Sequence, residues 1–352
     1  MTPSPTLVGD GVENAWNALK LQHAAEMFGW NCVFRDRYDL QQDWNEKCQA
    51  ASPVFVPLAE ICRRYRPLVA FDNGKGAQPL YGFRPRHPDH LALVVGNERH
   101  GIASDLLHES DHLVEVPMVS RRVNSLNVAA AAAVALFYLS KGGGGALYTR
   151  RDPNRSRPEL FLVGAGDHVE LGSTIRSAAA FGWHRAFVED RAEVWFGGDR
   201  RLRLEARGAA RRAKNAIRLV KAVPRGSYSF EEACVVSVRP GGQPLTKTNL
   251  ARGPRQVVVL VDDGHLDVGK EDWGRLARNV RFVTIDLPPG AHLMPHPYRL
   301  TSTIALAEMA RQVGIRRSKA PRAARPPIYD RVLATQAEES AEIVYLEDLR
   351  DY

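Results

Sequence analysis

The sequence predicts an α/β protein made of two parallel-sheet domains in tandem, and three patterns in the 352-residue chain indicate it. Short apolar segments alternate with helical segments along both halves, which is typical of parallel sheets covered by helices. The order of these segments in the first half recurs in the second half. Between the halves, residues 141–158 are rich in glycine and then in arginine and proline, a composition that indicates a linker.

In the first half, an apolar strand at Leu7–Gly9 is followed by a helix that ends at Phe28–Trp30. Gly29 stands just past this helix, where a glycine is the expected left-handed cap. A second strand follows at Cys32–Arg35. The second half repeats this order, with its first strand, helix end and next strand at Leu162–Gly164, Phe181–Trp183 and Arg185–Glu189.

The segment from Leu91 to Leu139 carries the most information. An apolar strand leads into Gly96–Glu98, a short helix follows, and a second apolar strand ends at Pro117–Met118. A polar loop then leads to Ser125–Asn127 and an alanine-rich helix. Glycine at a strand end lets a ligand approach the backbone, and Ser125 is a good N-cap for a helix turn that attracts anions. The alternative to a ligand site is that this segment is an ordinary strand and turn followed by a capped helix.

These motifs resemble those of the TrmH/SpoU branch of the SPOUT RNA methyltransferases. The second motif of that branch is a strand that ends in Gly-Asn-Glu. Its third motif is a strand that ends in Pro-Met, then a loop, then Ser-Leu-Asn at a helix start. Both occur here in order and at the right spacing. The resemblance is good over residues 6–140 and faint over residues 160–315, and it implies a trefoil-knotted sheet, an exception to unknotted topology.

The internal repeat makes the chain look like a tandem fusion of two protomers of a family that usually works as a homodimer. We expect a SPOUT-like domain with the donor-binding motifs at 1–140, the linker at 141–158, a degenerate basic SPOUT-like domain at 159–315 and a flexible tail at 316–352. A short helix is expected in the tail near residues 338–349. Such a chain is an internal pseudodimer, for which a monomeric state is expected.

The two copies keep complementary parts of the family pattern. The family's first motif begins with Asn and has Arg nine residues later. The first copy has Asn14 but His23 in place of the arginine, whereas the second copy keeps Arg176. Where the first copy has Gly-Asn-Glu and Ser-Leu-Asn, the second has Asp262–Gly264 and Arg299–Thr301. We therefore expect one donor site, in the first copy; decay of both copies is the alternative.

The resemblance implies S-adenosylmethionine as the methyl donor and a ribose 2′-hydroxyl, which only RNA offers, as the acceptor. It implies a donor pocket that is lined by Gly96, Asn97, Glu98, Gly101, Val116, Pro117, Met118, Ser125, Leu126 and Asn127. It also implies a set of candidate catalytic residues, which are Asn14, His23, Glu98, Ser125, Asn127 and Arg176.

Two of these candidates differ in the chemistry that they offer. Arg176 would contact the phosphate of the target nucleotide and orient its hydroxyl, because an arginine with a pKa above about 12 is a poor base. We expect Arg176→Ala to abolish methyl transfer and leave donor binding intact. His23 can accept a proton near neutral pH, but a histidine that packs or faces solvent is the alternative.

Positive charge is concentrated in the second half of a chain whose net charge is +8. Residues 146–315 hold 27 Lys and Arg against 18 Asp and Glu, whereas residues 1–145 hold 14 against 15. Such an excess favours a polyanion partner, here structured rRNA or tRNA, although a solvated helix face is the alternative. The predicted RNA contacts are Arg121, Arg122, Arg200, Arg201, Arg203, Arg207, Arg211, Arg212, Lys214 and Arg218.

Other features bear on compartment and cofactors. The first ten residues show no basic start and no apolar run, so a secretory signal is not expected, and the longest apolar run, Val128–Leu139, is too short to span a bilayer. Its four cysteines show no Cys-x-x-Cys spacing, which argues against disulfides and a zinc site. We expect a cytoplasmic protein that binds neither metal nor membrane.

The sequence as a whole favours an S-adenosylmethionine-dependent methyltransferase that acts on the ribose 2′-oxygen of rRNA or tRNA, with one composite active site at the pseudodimer interface. Two alternatives stay open. One is a catalytically inactive relative that binds RNA, which the His23 substitution favours. The other is a methyltransferase that acts on a base or on a small molecule other than RNA.

Overall fold

A computed structural model gives the structure of most of the chain. It describes residues 5–48, 50–74, 76–86, 90–119, 126–140, 157–163, 167–190, 193–210, 217–222, 228, 230–238, 241–250, 256–261, 276–288, 291, 296–314 and 341–344. Several residues of the sequence predictions lie outside this part of the chain, namely Arg121, Arg122, Ser125, Gly164, Arg211, Arg212, Lys214 and Asp262–Gly264.

The first half folds around a seven-stranded sheet whose strand pairs are all parallel. Its strands are β1 (Thr6–Asp10), β2 (Asn31–Arg35), β3 (Val54–Phe55), β4 (Leu68–Phe71), β5 (Gln78–Pro79), β6 (Ala92–Val95) and β7 (His112–Glu115). They lie in the order β3-β2-β1-β6-β4-β7-β5. The helices are α1 (Ala15–Met27), α2 (Leu40–Lys47), α3 (Leu58–Arg64), α4 (Ser104–Glu109) and α5 (Val128–Leu139).

The second half has an eight-stranded sheet. Its strands are β8 (Glu159–Val163), β9 (Arg185–Glu189), β10 (Ile217–Lys221), β11 (Phe230–Ser237), β12 (Gln243–Pro244), β13 (Gln256–Val261), β14 (Ala277–Thr284) and β15 (Ala341–Val344). Its helices are α6 (His168–Ala180), α7 (Arg200–Ala210) and α8 (Tyr298–Val313). Strands β8 to β14 pair in parallel, and β15 pairs antiparallel with β10 at the edge. The prediction of a helix near residues 338–349 is therefore wrong for 341–344.

The two sheets have the same topology, strand for strand. With β8 to β14 taken as the counterparts of β1 to β7, the second sheet runs β10-β9-β8-β13-β11-β14-β12, which is the order of the first sheet. Both edge strands β5 and β12 have the sequence Gln-Pro, and a short 3₁₀ helix follows each, at Leu80–Gly82 and Leu245–Lys247. This structural repeat agrees with the repeat in the sequence.

Local chemistry explains the strand–helix–strand unit that opens each half. Asn14 caps α1 by accepting from the Trp16 amide at 2.8 Å, and Asp167 caps α6 by accepting from the Val169 amide at 2.7 Å. Gly29 and Gly182, just past the two helices, have φ values of 71° and 91°, a region that glycine adopts without strain. The glycine caps predicted from the sequence are confirmed.

Helices α1, α5, α6 and α8 and the facing sides of both sheets share one apolar core. Helix α5 is buried at eleven of its twelve positions because it packs on α1 and also on α8 of the other half. A polar contact lies inside this interface, where the Tyr138 hydroxyl donates to Glu308 Oε2 at 2.5 Å. The far sides of the sheets carry separate apolar clusters. Within the described residues, no helix has the length and apolar character needed to cross a membrane.

Candidate donor-binding site

A cavity of about 220 Å³ opens at the carboxyl ends of β4, β6 and β7, beside the first turn of α5. This edge is where parallel α/β sheets commonly bind ligands. Residues from four segments line it: Phe71, Asp72, Asn73, Val95, Gly96, Asn97, Glu98, Gly101, Glu115, Val116, Met118, Leu126, Val128 and Ala131. Seven of the ten residues predicted for the donor pocket belong to this lining, namely Gly96, Asn97, Glu98, Gly101, Val116, Met118 and Leu126. The other three are Pro117, Ser125 and Asn127, of which Ser125 lies outside the described residues.

The turn after β6 explains why its first residue is glycine. A Cβ on Gly96 would lie 2.2 Å from the carbonyl carbon of Gly101 and 2.3 Å from the amide nitrogen of Ile102. Asn97 and Gly101 exchange backbone hydrogen bonds of 3.0 and 2.9 Å, which close the turn. Gly96 is therefore required by the backbone of the turn itself, and not only by a ligand.

Asn97 holds this turn against β1. Its buried side chain donates from Nδ2 to the Gly11 carbonyl at 2.7 Å, and its Oδ1 accepts from the amides of Arg99 and His100. Both the nitrogen and the oxygen of its amide are thus used within the protein. We interpret Asn97 as a residue that shapes the cavity, since its amide has partners without any ligand.

Three polar side chains connect α1, the turn and α5. Asn17 Nδ2 donates to Glu98 Oε1, and Asn17 Oδ1 accepts from Asn127 Nδ2 at 3.1 Å. Asn127 Oδ1 also accepts from the amides of Ala129 and Ala130, at 3.1 and 3.4 Å. Asn127 is therefore the N-cap of α5, and the prediction that Ser125 has this role is wrong because the helix begins at Val128.

Arg176 of the second half lies against the cavity wall of the first half. Its guanidinium is buried, and Nη2 donates to the Leu126 carbonyl at 2.7 Å across 50 residues of sequence. Nearby, the Val119 amide donates to the carbonyl of Ala180, the last residue of α6, at 3.2 Å. Helix α6 therefore contacts the chain on both sides of the segment 120–125, on one side through Arg176 and on the other through its own C-terminus.

The remaining candidate catalytic residues lie apart from the cavity lining. Asn14 is exposed and caps α1. His23 is half-buried on α1, and burial, together with the charge of Lys20, lowers its pKa. Two groups of the second half, Glu170 and His296, also affect the pKa of His23 through their charges, so the second half faces this histidine. His23 thus occupies the position on α1 that Arg176 occupies on α6, but it is not among the described residues that line the cavity.

Three acidic or amide residues of the lining were missed in the sequence. Asp72 and Asn73 directly follow β4, and Glu115 ends β7 with 1 % of its surface exposed. Together with Glu98 they give the cavity three carboxylates, which suit a cationic ligand. A signal existed: a polar pair directly after the apolar strand Leu68–Phe71 must lie at the carboxyl edge of the sheet.

In the described part of the second half, side chains occupy the region that corresponds to the cavity. Glu170, the counterpart of Asn17, binds Arg299 through contacts of 2.7 to 2.8 Å, and the Tyr298 hydroxyl donates to the Leu260 carbonyl at 3.0 Å. The described residues there leave no space for a water molecule. Arg299–Thr301, which stand in place of Ser-Leu-Asn, lie in the first turn of α8, whose N-cap is Pro297.

The predicted basic cluster is divided between two elements. Arg200, Arg201 and Arg203 lie on the exposed or half-exposed side of α7, where Arg201 pairs with Glu205 at 3.0 Å. Arg207 turns inward, and its guanidinium lies 5.9 Å from the centre of the buried Trp195 ring. Arg218 is half-buried on β10. No group of three or more described His, Cys, Asp or Glu residues is arranged to hold a metal ion.

Comparison with known proteins gives a family for the part of the chain that holds the cavity. Residues 5–137 match the model described as the SpoU rRNA Methylase family. No curated protein matches the sequence.

Solved structures with partial similarity include the SpoU methyltransferase AviRb from Streptomyces viridochromogenes, determined in complex with AdoMet. It is 18% identical, with a TM-score of 0.32, over 40% of this chain and 58% of that one. Another is a putative RNA methyltransferase of the TrmH family from Porphyromonas gingivalis, 23% identical with a TM-score of 0.31, over 39% and 59%. The chain thus spans less than two thirds of these relatives, and at such TM-scores the likeness decides nothing further. The match to the SpoU rRNA Methylase family over residues 5–137 agrees with the resemblance that the motifs predict.

Proposed function

We propose that this protein is an S-adenosylmethionine-dependent RNA methyltransferase with one composite active site per chain. The observation that carries this proposal is the 2.7 Å contact from Arg176 to the Leu126 carbonyl, because it joins the second half to the wall of the cavity in a SpoU-type first half. The acceptor that we propose is a ribose 2′-hydroxyl. It is supported by the resemblance of Gly96–Glu98 and of Ser125–Asn127 to the motifs of the TrmH/SpoU branch.

The lining of the cavity fits the donor that we propose. Asp72, Glu98 and Glu115 supply negative charge for a cationic sulfonium and ammonium group, and Val116, Leu126 and Ala131 supply apolar contact for a flat base. When bound, S-adenosylmethionine supplies a methyl group activated by the adjacent positive sulfur. The second half holds no such cavity in its described part, which supports a single site.

The chain's own residues would orient the acceptor and exclude water. Glu98 lies at the cavity and is held there by Asn17, so it is preorganised to contact an incoming hydroxyl, while Asn127 holds Asn17 in place. Arg176 fixes the carbonyl next to Asn127 and keeps a permanent positive charge near the site. We assign it positioning and charge stabilisation rather than proton removal.

Substitution of Arg176 tests the composite site. Because Arg176 supports a residue of the cavity wall, Arg176→Ala should reduce methyl transfer by at least about a hundredfold and weaken donor binding by a smaller factor. Arg176→Lys keeps the charge but loses the planar fork, so we expect it to recover little activity. Arg64→Ala, at an exposed position of α3, is the matched control.

Two measurements separate the outcomes of this test. Calorimetric titration with S-adenosylmethionine should give one site per chain, and mass analysis of nucleosides from reacted RNA should give a 2′-O-methylated product. Full activity of Arg176→Ala would refute the composite site. Two equivalent donor sites would refute the division of roles between the halves.

A second candidate function is RNA binding without catalysis. It is favoured by His23, which stands where the first copy would need the family's arginine, and by the partners that Asn17 and Asn127 already give each other. Normal RNA binding with no donor binding would support it. A methylated base, or methylation of a small molecule in place of RNA, would instead support a methyltransferase with a different acceptor.

A further inference from the structure

We propose that the first half carries its own RNA-binding surface at the mouth of the cavity, formed by Trp16, Arg37, Tyr38, Arg99 and His100, and that it binds unpaired nucleotides next to the target nucleotide. We call these five residues the rim. The inference rests on the proposed methyltransferase function and adds to it the place and kind of RNA contact. It moves the main RNA surface away from the basic cluster of the second half.

The first part of the rim lies over the end of β1. A Cβ on Gly11, whose φ is 67°, would lie 2.9 Å from Tyr38 Cε2 and 3.4 Å from Arg37 Cδ. The Gly11 carbonyl accepts from Asn97, a residue of the cavity lining. Tyr38 and Arg37 are therefore packed against the same backbone that supports the cavity.

The second part of the rim belongs to the turn after β6. Arg99 and His100 follow Glu98 directly, and both are exposed. The His100 ring lies 6.0 Å from the Tyr38 ring at an interplanar angle of 30°, and the Arg37 guanidinium lies 5.3 Å from the centre of that Tyr38 ring. Rings and cations from two segments thus form one continuous layer beside the cavity.

Trp16 extends this layer along α1. It is 54% exposed, which is unusual for the largest apolar side chain, and Asn14 holds its backbone amide at 2.8 Å. Residues on either side of it in sequence tie this end of α1 to the turn, since Glu13 pairs with Arg99 at 3.8 Å and Asn17 donates to Glu98. The exposed indole is therefore carried by backbone whose neighbouring residues are tied to the turn beside the cavity.

A surface of aromatic rings and cations has the chemistry that binds single-stranded RNA. Every base can stack on a ring whatever the RNA sequence, and arginines track the phosphates between the bases. Two carboxylates beside the rim pair with its arginines, since Asp10 lies 3.7 Å from Arg37 and Glu13 lies 3.8 Å from Arg99. A third, Asp36, accepts from the Tyr38 amide at 3.2 Å. On α7, Arg201 pairs with Glu205 and Arg207 packs on Trp195, and no aromatic side chain belongs to the described part of that helix.

The test measures binding of a fluorescein-labelled single-stranded RNA of mixed sequence by anisotropy, at several salt concentrations. Trp16→Ala and Tyr38→Ala should each weaken binding by roughly tenfold, the loss expected for one stacked base. Arg37→Ala combined with Arg99→Ala should flatten the salt dependence by about 0.7 units of slope for each lost phosphate contact. Unchanged thermal unfolding would show that these exposed substitutions leave the fold intact.

Matched controls lie elsewhere on the surface. Phe282→Ala removes an aromatic ring that is 43% exposed in the second half, and Arg64→Ala removes an exposed arginine of α3. Both should bind the RNA as the unsubstituted protein does. The triple variant of Arg200, Arg201 and Arg203 to alanine tests the rival surface on α7 and should have the smaller effect.

Three results would overturn the proposal: rim variants with unchanged affinity, a loss confined to the α7 variant, or equal loss in the controls. Binding of a fully paired RNA in preference to the single strand would also overturn it. Titration with S-adenosylmethionine is run on the same proteins. If the donor fails to bind the unsubstituted chain, the proposed function is wrong, whereas rim variants that bind donor normally but lose RNA support the rim alone.

Discussion

At Asn127, one side chain both caps a helix and joins α5 to α1. Its Oδ1 accepts from the amides of Ala129 and Ala130, while its Nδ2 donates to Asn17. These two roles use different atoms of the same amide, so substitutions can separate them. The cap stabilises the helix, whereas the Nδ2 contact orients the polar side chains beside the cavity.

We predict that Asn127→Ala loses both roles and Asn127→Asp loses only one. The alanine variant should lower the free energy of unfolding by about 1 kcal/mol, because the two α5 amides lose their acceptor. An aspartate can still cap the helix, so its stability should stay near that of the parent protein, but it has no N–H for Asn17. Donor affinity from calorimetry should fall in both variants. An aspartate variant with full donor affinity would show that the Asn17 contact is dispensable.

His23 makes stability depend on pH in a definite direction. Burial lowers its pKa below the ordinary value of 6.5, so the unfolded chain takes up a proton more readily than the folded chain. The contribution of neutral His23 to the free energy of unfolding is therefore complete above pH 6.5, and it is lost as the pH falls toward the lower pKa of His23 in the folded protein. We predict that His23→Asn flattens the decline of unfolding free energy between about pH 7 and about pH 5 in urea titrations.

A control variant and a methyl-transfer assay accompany this pH prediction. His184→Asn, at an exposed position, is the control for loss of a histidine. An identical pH profile in His23→Asn would contradict the prediction. If methyl transfer also survives in His23→Asn, the histidine is a packing residue and is excluded as the base.

At the scale of elements, the close contact of α6 with α7 depends on one glycine. A Cβ on Gly172 would lie 2.1 Å from the Ala206 carbonyl oxygen and 2.9 Å from Ala209 Cβ. Because α6 also carries Arg176 and the carbonyl that binds Val119, its position sets the wall of the cavity in the other half. The packing of two second-half helices therefore bears on a first-half site.

We predict opposite effects for two alanine substitutions in this helix pair. Gly172→Ala should destabilise the protein by about 3 kcal/mol, because the new methyl group overlaps backbone that cannot move independently. Gly208→Ala, on α7, places its new methyl group where no other atom lies within 4 Å, so it should stabilise by up to about 1 kcal/mol through helix propensity. Thermal unfolding measures both. A tolerated Gly172→Ala would mean that α6 and α7 can separate without cost.

At the scale of the whole molecule, the two halves share one apolar core. Helix α5 packs on α8, Tyr81 donates to the Ala307 carbonyl at 3.2 Å, and Tyr138 donates to Glu308, which also binds Arg311 and Gln312. The hydroxyl of Tyr138 is buried, and burial together with the Glu308 charge raises its pKa well above 10. The interface thus combines apolar contact with buried hydrogen bonds.

We predict that the halves unfold together. Calorimetry should give one transition, because separating the halves would expose α5 and α8, which are apolar and buried on several sides. Tyr138→Phe should lower the unfolding free energy by about 1 kcal/mol, since Glu308 keeps its other partners. Two well-separated transitions would contradict a shared core and would also weaken the case for a site built from both halves.

The sequence by itself determined the features that depend on neighbouring residues. Apolar runs of four or five residues predict the buried strands β6, β8 and β13, and glycines after α1 and α6 predict their caps, because both signals are local. The Gly-Asn-Glu turn and the cavity beside it also follow from a contiguous motif. The trefoil knot and the domain boundaries stay predictions.

Only the tertiary structure decided which distant residues meet. Arg176 reaches Leu126 because α6 packs in the shared core, and Asp72 and Glu115 join the cavity because their strands end at the same edge of the sheet. Both Ser125 and Asn127 are good N-caps by residue type, so the sequence alone does not distinguish them. In the structure α5 begins at Val128, and Asn127 is its N-cap. The sequence also could not show which arginines of the basic cluster face solvent. Only the packing of Arg207 on Trp195 shows that this arginine points inward.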